Sequence, residues 1–344
     1  MIDADVLDMR AAKRLAFRQD AGWGRAVETA LAADASFRRY FRLQREDGQT
    51  AILMDAPPDK EDVRPFVTVG EILSSFGYSV PQLAAADEGN GFLLLEDLGD
   101  ATYTRALAAG QDERALYDLA ADLLTDLAKR GLDGVADRVP AYSDEKLLQE
   151  ALLFVDWYLR PGVGLPIDDR ARDAFADAWR ACLPAARHGG EVLVLRDYHV
   201  DNLMLLGRPG IAACGLLDFQ DAVIGPASYD LVSLLQDCRR DIPQPVIRSA
   251  LDRYFSAMPE IEDREAFLRS YRVLGAQRHF KVLGIFARQT VLYGNHGYLE
   301  HIPRLWRLAL ENLSDEALAP IREWIEKHVP EAYRVTPPPG GRAA

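Results

Sequence analysis

The sequence predicts an α+β fold in two parts: a small antiparallel sheet within residues 1–96, then a mainly helical region over 97–344. Three observations predict it. Short apolar runs separated by turn residues crowd the first 96 positions, which is strand spacing. After residue 100, apolar side chains recur every three or four positions, which is helix spacing. The helical stretch is interrupted at 191–221, EVLVLRDYHVDNLMLLGRPGIAACGLLDFQD. There, apolar runs at 203–206 and 211–217 flank the turn Gly207-Arg208-Pro209-Gly210 and read as a hairpin.

In order, residues 4–20 carry Val6, Met9, Ala12, Leu15 and Ala16 at helical spacing. Residues 26–31 form a strand candidate, 32–36 a loop of small residues and 37–43 a second strand. The turn Glu46-Asp47-Gly48-Gln49 leads to a third strand at 50–54. Strand alternation sets Arg38, Tyr40 and Arg42 on one face and Phe37, Arg39 and Phe41 on the other. Residues 65–76 read as a helix with Phe66, Val69, Ile72 and Leu73 on one side. Residues 91–95 are a buried strand leading out of the first part. Helices follow over 114–129, 144–159 and 168–183, and beyond the hairpin over 228–237, 245–255, 264–287, 305–313 and 317–328. The tail at 336–344, rich in proline and glycine, is expected to be disordered.

Composition bounds the function. A net charge of −13 argues against nucleic acid as a partner. It also requires that an anionic ligand be met by local cations and backbone donors. No apolar run reaches the ~20 residues of a membrane span, and the polar, acid-bearing start is unlike a signal peptide. Cys182, Cys214 and Cys238 lack metal-site spacing and read as reduced thiols of a cytoplasmic protein. A monomer is expected.

The chemistry concentrates at the hairpin. Asp197 is followed five residues later by Asn202, and Asp218 closes the second apolar run in Asp218-Phe219-Gln220-Asp221. The hairpin brings Asn202 and Asp218 together at its open end. Each residue alone also suits an ordinary turn. As an ordered set they match phosphoryl transfer. A hard Mg²⁺ takes oxygen ligands and keeps positions for phosphates, a carboxylate takes the proton of the attacking hydroxyl, and kinases space an Asp, an Asn and a further Asp in this way.

The motifs RDYHVDN, GLLDFQD and GPASYD resemble those of the aminoglycoside-phosphotransferase-like kinases, a branch of the bilobal protein-kinase-like fold, over roughly residues 25–330. The stretches ASFRRYFR, MDAPP, FLLLEDLG, LFVDWYL and RHFKVLGIFAR are similar to its amino-sugar branch, which phosphorylates the anomeric 1-hydroxyl of N-acetylmuramate or N-acetylglucosamine in bacterial cell-wall recycling. The resemblance implies ATP and Mg²⁺ as cofactors and a small sugar as acceptor. It implies Asp197 as catalytic base, Asn202 and Asp218 as Mg²⁺ ligands, and Leu95, Glu96 and Asp97 as a hinge holding adenine through backbone groups. Two departures matter. Leu195 stands where the family usually has His, and the third strand, Ile52-Leu53-Met54-Asp55, lacks the phosphate-binding Lys that would pair with Glu71. Another small-molecule kinase, such as an aminoglycoside one, is the rival within the class. A nucleotide-binding pseudokinase is the rival outside it, favoured by the missing Lys and opposed by the intact Asp197, Asn202 and Asp218.

The missing Lys turns attention to the start of the second strand. Phe37 and Phe41 are expected to face the core, where Arg39 would be costly unpaired. Arg39, or Arg38 at the loop edge, is therefore expected to contact phosphate, with Ser36 assisting and Arg42 solvated. Arg196 reads either as a charge partner beside Asp197 or as a structural pair to a surface acid. Glu150, Asp156, Arg278 and His279 are polar residues on apolar helices and are candidates for binding sugar hydroxyls. Trp157 suits either stacking on a sugar ring or core packing. Lys281 is not expected to share a site with His279. His199 reads as a structural hydrogen-bonder. Asp230 reads as a buttress for the catalytic loop, and Asp221 as a second metal contact or a helix cap.

Overall fold

The computed structural model describes residues 4–31 and 37–342. It comprises two compact units, Met1–Ala109 with Asp201–Asp221, and Gly110–Val200 with Ala222–Ala344. The sequence expectation set the boundary at residue 96. In the structure, residues 97–109 and the 201–221 segment group with the sheet instead. Backbone hydrogen bonds explain why: Leu205 N–H donates to Ala101 O at 2.7 Å and Leu216 N–H to Ser79 O at 2.8 Å.

In the first unit, β1 (Val27–Ala30), β2 (Arg39–Gln44), β3 (Thr50–Asp55), β4 (Leu83–Asp87) and β5 (Phe92–Glu96) form an antiparallel sheet in the order β1-β2-β3-β5-β4. Alternation gives this sheet two distinct faces. Leu43, Ala51, Leu53, Phe92 and Leu94 form a core with Phe17 of helix α1 (Ala4–Asp20), and Phe41 packs against it. Phe17 stacks on Phe92 with ring centroids 5.7 Å apart. On the same face, buried Asp55 is held by Arg10 at 2.7 Å and Arg14 at 2.9 Å, so its carboxylate is not left unpaired under the helix. Tyr40, Arg42, Ile52 and Leu95 belong to the opposite face. Helix α2 (Arg64–Ser75) buries Phe66, Val69, Ile72 and Leu73, as its periodicity requires. Strand β4 escaped the sequence because Leu83-Ala84-Ala85-Ala86-Asp87 has no β-branched or aromatic residue. The helix Tyr103–Ala108 is too short to show a period.

The second unit is built around the helix Arg264–Tyr293, buried along most of its length. Phe280 from this helix meets Phe154, Phe175, Trp179 and Trp306 in an aromatic core. Each such ring contributes about 1.5–3 kcal/mol by leaving water. The helix expected over 144–159 is α-helical over Asp144–Leu153 and then widens into a π-turn, Phe154–Gly162. It crosses the central helix at Gly284, where a Cβ would lie 2.3 Å from the Leu153 carbonyl carbon, so only glycine permits the approach. The tail, expected to be disordered, is packed as far as Arg342. Tyr158 Oη donates to Val335 O at 2.5 Å, Pro337 is buried, and Arg342 N–H donates to Pro161 O at 2.8 Å. A two-stranded ladder, Glu191–Val194 with Val223–Pro226, flanks the excursion of the chain into the first unit.

Candidate active site

In the first unit, Leu203–Leu205 pairs with Cys214–Leu216, and Leu217 N–H donates to Asn202 O at 2.9 Å. The residues just beyond the strands therefore meet as expected: Asn202 Nδ2 lies 3.4 Å from Asp218 Oδ2. The second strand is shorter than its apolar run, because Gly210–Ala213 forms a 3-10 turn. Asp218 has φ +57°, a left-handed conformation that costs a non-glycine residue on the order of 1–2 kcal/mol. Strain of this kind gathers at functional sites. It is held here by a 2.9 Å bond from Gln220 Nε2 to Asp218 Oδ1 and by Phe219 stacking on Phe66 at 4.8 Å.

Asn202 and Asp218 line a pocket of about 250 Å³ whose apolar walls include Ile52, Phe66, Leu95, Met204 and Leu217. The expected hinge residues Leu95, Glu96 and Asp97 line it too. The Glu96 and Asp97 side chains are already engaged. Glu96 Oε1 accepts from Arg208 at 2.6 Å, and Asp97 accepts from Arg42 at 2.7 and 3.0 Å. Arg42, expected in solvent, also donates twice to Asp100, each time at 3.0 Å. Hydrogen bonds to Asp100 and Asp97 hold its guanidinium pKa above the ordinary value.

Phe41 packs against the core as expected, but Phe37, expected to face it too, is 51% exposed because it precedes the strand; the core face is the one covered by α1, and the pocket lies on the other. Arg39 is exposed and shares the Phe41 side, so it is not a pocket residue. Arg38 does not line the pocket either, but it stands beside Asp218, which does: its side chain is 11% exposed and its Nη1 lies 3.8 Å from Asp218 Oδ1. Ser36 lies outside the described residues. β3 presents Ile52 to the pocket, leaving that strand without a cation there.

In the second unit, the backbone around Asp197 is fixed from two helices. Leu195 N–H and Arg196 N–H donate to the two oxygens of Asp230 at 2.6 and 2.9 Å, the buttress read from the sequence. Burial pushes the Asp230 carboxyl up to about 7 against the pull of these donors. Arg196 adopts φ +70°, and its carbonyl accepts from Ser233 Oγ at 2.7 Å and Arg278 Nη1 at 2.9 Å. The Arg196 guanidinium turns the other way, to Glu150 Oε1 at 2.5 Å. The Glu150 carboxylate is buried, and its other oxygen accepts from Lys281 at 3.1 Å and from the Tyr142 hydroxyl.

Arg278 Nη2 reaches Asp197 Oδ1 at 3.3 Å. Burial alone would raise the pKa of Asp197. Arg278, Lys281 and Arg196 outweigh it and hold the carboxyl well below its ordinary value, so it is ionised at neutral pH. Burial pushes His199 down to about 4, leaving a neutral imidazole.

Several acceptor-site expectations give way to structural roles. Glu150 is paired inside the network. His279 is buried, with Nε2 3.1 Å from Gln236 O and Nδ1 3.4 Å from Asn312, and burial pushes its pKa down to about 4. Asp156 is paired with Arg172 at 2.7 Å on the π-turn, beside a half-buried Trp157. Among the described residues, neither Asp156 nor Trp157 shares a hydrogen bond or ring contact with the Asp197 network. Arg278 is the one such candidate brought to Asp197. Sequence reasoning missed Lys281, Tyr142 and Tyr229. The signal for Lys281 was its i, i+3 spacing from Arg278, which puts both on one helix face.

The model of the phosphotransferase enzyme family matches residues 27–268. The N-acetylmuramate/N-acetylglucosamine kinase of Pseudomonas aeruginosa is 40% identical over 294 residues, covering 83% of this chain and 84% of that one. That of Caulobacter vibrioides is 37% identical, covering 94% and 98%. Among solved structures, the GDP complex of aminoglycoside 2'-phosphotransferase-IIIa aligns with a TM-score of 0.61 at 14% identity, over 88% of this chain and 99% of that one. Plasmodium vivax ethanolamine kinase aligns with a TM-score of 0.60 at 10% identity, over 83% and 82%. These two likenesses are in fold alone. With the family model spanning its sheet, its hairpin and most of its helices, the chain belongs to the phosphotransferase enzyme family.

Proposed function

We propose that this protein is an ATP- and Mg²⁺-dependent kinase that phosphorylates the anomeric 1-hydroxyl of N-acetylmuramate or N-acetylglucosamine in peptidoglycan recycling. The observation that carries this is the pairing of Asn202 with Asp218 in a pocket wall, five residues along the chain from an Asp197 held ionised. The acceptor follows from 37–40% identity to kinases of that name over most of both chains. Cys182, Cys214 and Cys238 are buried thiols outside any disulfide, which suits a reducing cytoplasm.

The pocket fits its ligands by chemistry. Apolar walls at Ile52, Leu95, Met204 and Leu217 suit a flat purine, with the backbone of 95–97 at its edge. Asn202 and Asp218 supply the oxygen donors a hard cation takes. Mg²⁺ usually takes only one or two carboxylates from the protein and completes its shell with substrate phosphates and water. Bound there, Mg²⁺ would offset the phosphate charge and orient the group transferred.

The protein's own residues do the rest. Sugar O1 bonds to the γ-phosphorus, the bond from that phosphorus to the bridging oxygen of ADP breaks, and the hydroxyl proton passes to Asp197. Arg278 keeps this carboxylate ionised and fixes one of its oxygens. Asp230 and Ser233 hold the backbone that carries it. A carboxylate of depressed pKa is a weak base. That suffices here, because phosphoryl transfer passes through a loose transition state that asks mainly for positioning.

Phosphorus NMR of the purified protein with ATP, Mg²⁺ and in turn N-acetylmuramate, N-acetylglucosamine, kanamycin and choline tests the proposal. A sugar 1-phosphate signal from either amino sugar, and none from the other two acceptors, is expected. Phosphorylation of kanamycin or choline alone would overturn it.

A further inference from the structure

The pocket of the first unit presents an electrostatic problem. Glu96, Asp97, Asp100 and Asp218 line it, and a nucleotide entering it brings three or four further negative charges. β3 offers Ile52 to the pocket and carries no Lys or Arg. The guanidinium of Arg42 lines the pocket but is held by four hydrogen bonds to Asp97 and Asp100. Arg208 is held by Glu96 at 2.6 Å and Ser79 at 2.9 Å. Both arginines are thus already engaged with acidic side chains, Asp97 and Asp100 for Arg42 and Glu96 for Arg208.

Arg38 is placed differently. Alternation along β2 puts it on the same face as the pocket-lining Tyr40 and Arg42. Its side chain is 11% exposed, with Nη1 3.8 Å from Asp218 Oδ1 and Nε 3.8 Å from Glu61 Oε2. A buried cation thus stands beside the carboxylate at which a phosphate-bound metal would sit.

We infer that Arg38 is the phosphate-binding cation of this enzyme, supplied from β2 in place of a lysine on β3, and that it engages the β- and γ-phosphate oxygens of the nucleotide. The inference rests on the nucleotide reading of the pocket. Guanidinium presents a planar fork that takes two phosphate oxygens at once. Its partnership with Asp218 neutralises the metal carboxylate before nucleotide arrives and leaves the cation in place when phosphates do. Because the fork is directional, lysine at this position restores charge without the paired geometry.

The test is calorimetric binding without acceptor sugar and with EDTA, so that neither turnover nor metal enters. Adenosine, ADP and ATP are titrated into the unaltered protein, Arg38→Ala, Arg38→Lys and the exposed comparator Arg39→Ala. Arg38→Ala is expected to weaken ATP at least about tenfold and ADP less, and to leave adenosine within about twofold. Arg38→Lys should fall between, and Arg39→Ala should match the unaltered protein. Unchanged ATP affinity in Arg38→Ala overturns the assignment. An equal loss for adenosine and ATP also overturns it, since Arg38 would then be shaping the pocket. Failure of the unaltered protein to bind adenosine or ATP at all would instead remove the nucleotide reading itself.

Discussion

Arg278 holds Asp197 through a 3.3 Å contact between Nη2 and Oδ1, and with its other terminal nitrogen holds the carbonyl of the preceding residue, Arg196, at 2.9 Å. One guanidinium thus sets both the charge of the carboxylate and the course of the backbone that carries it.

Arg278→Ala is expected to move the acid limb of the kcat/KM profile to higher pH. Asp197 titrates below its ordinary value, so the unaltered enzyme should show no limb from it above about pH 5. Removing the cation that most favours the anion raises the pKa. The same depression contributes stability that is present at neutral pH and lost as pH falls through the folded value. An unmoved acid limb would show that Arg278 does not act on Asp197.

Glu150→Ala should destabilise the fold by about 3–5 kcal/mol, because it leaves Arg196 and Lys281 buried without their shared counter-charge. Urea denaturation measures this. A loss below about 1 kcal/mol would mean that the network tolerates the unbalanced charge.

Asp230 has the opposite sign. Burial raises its folded pKa to about 7, above the ~3.9 of an unfolded Asp. Its contribution is therefore full below about pH 4 and lost as pH rises through about 7. Asp230→Asn does not titrate and should flatten this part of the stability profile, while losing one of two backbone acceptors and lowering turnover. Stability profiles that run parallel from pH 4 to 7 would contradict it.

The hairpin was legible in the sequence because its geometry is local: the turn at 207–210 and the two apolar runs force Asn202 and Asp218 together. The setting of Asp197 was not. Its partner Arg278 lies 81 positions further along the chain and Glu150 lies 46 positions before Arg196, and no periodicity reports which helices will meet. Polar residues on apolar helices correctly announced a need for partners. Whether those partners were substrate or protein depended on packing, so Glu150 and His279 were read outward when both are satisfied inward. The arginines of β2 show the same limit. Alternation sorted Arg38 from Arg39, but which face α1 covers is a tertiary fact.

Asp218→Ala should abolish the enhancement of ATP binding by Mg²⁺, since Asn202 alone is a neutral ligand. Calorimetry with and without Mg²⁺ reads this directly. An enhancement equal to that of the unaltered protein would place the metal elsewhere.

The most direct test of the central claim is the turnover of Asp197→Asn with N-acetylmuramate, followed by phosphorus NMR beside calorimetric ATP binding. Asparagine keeps the size and one oxygen for Arg278 but cannot take a proton. With Asp197 as base, kcat falls by about 10²–10⁴ and ATP affinity stays within about twofold. Turnover near that of the unaltered enzyme, with ATP still bound, would contradict the assignment.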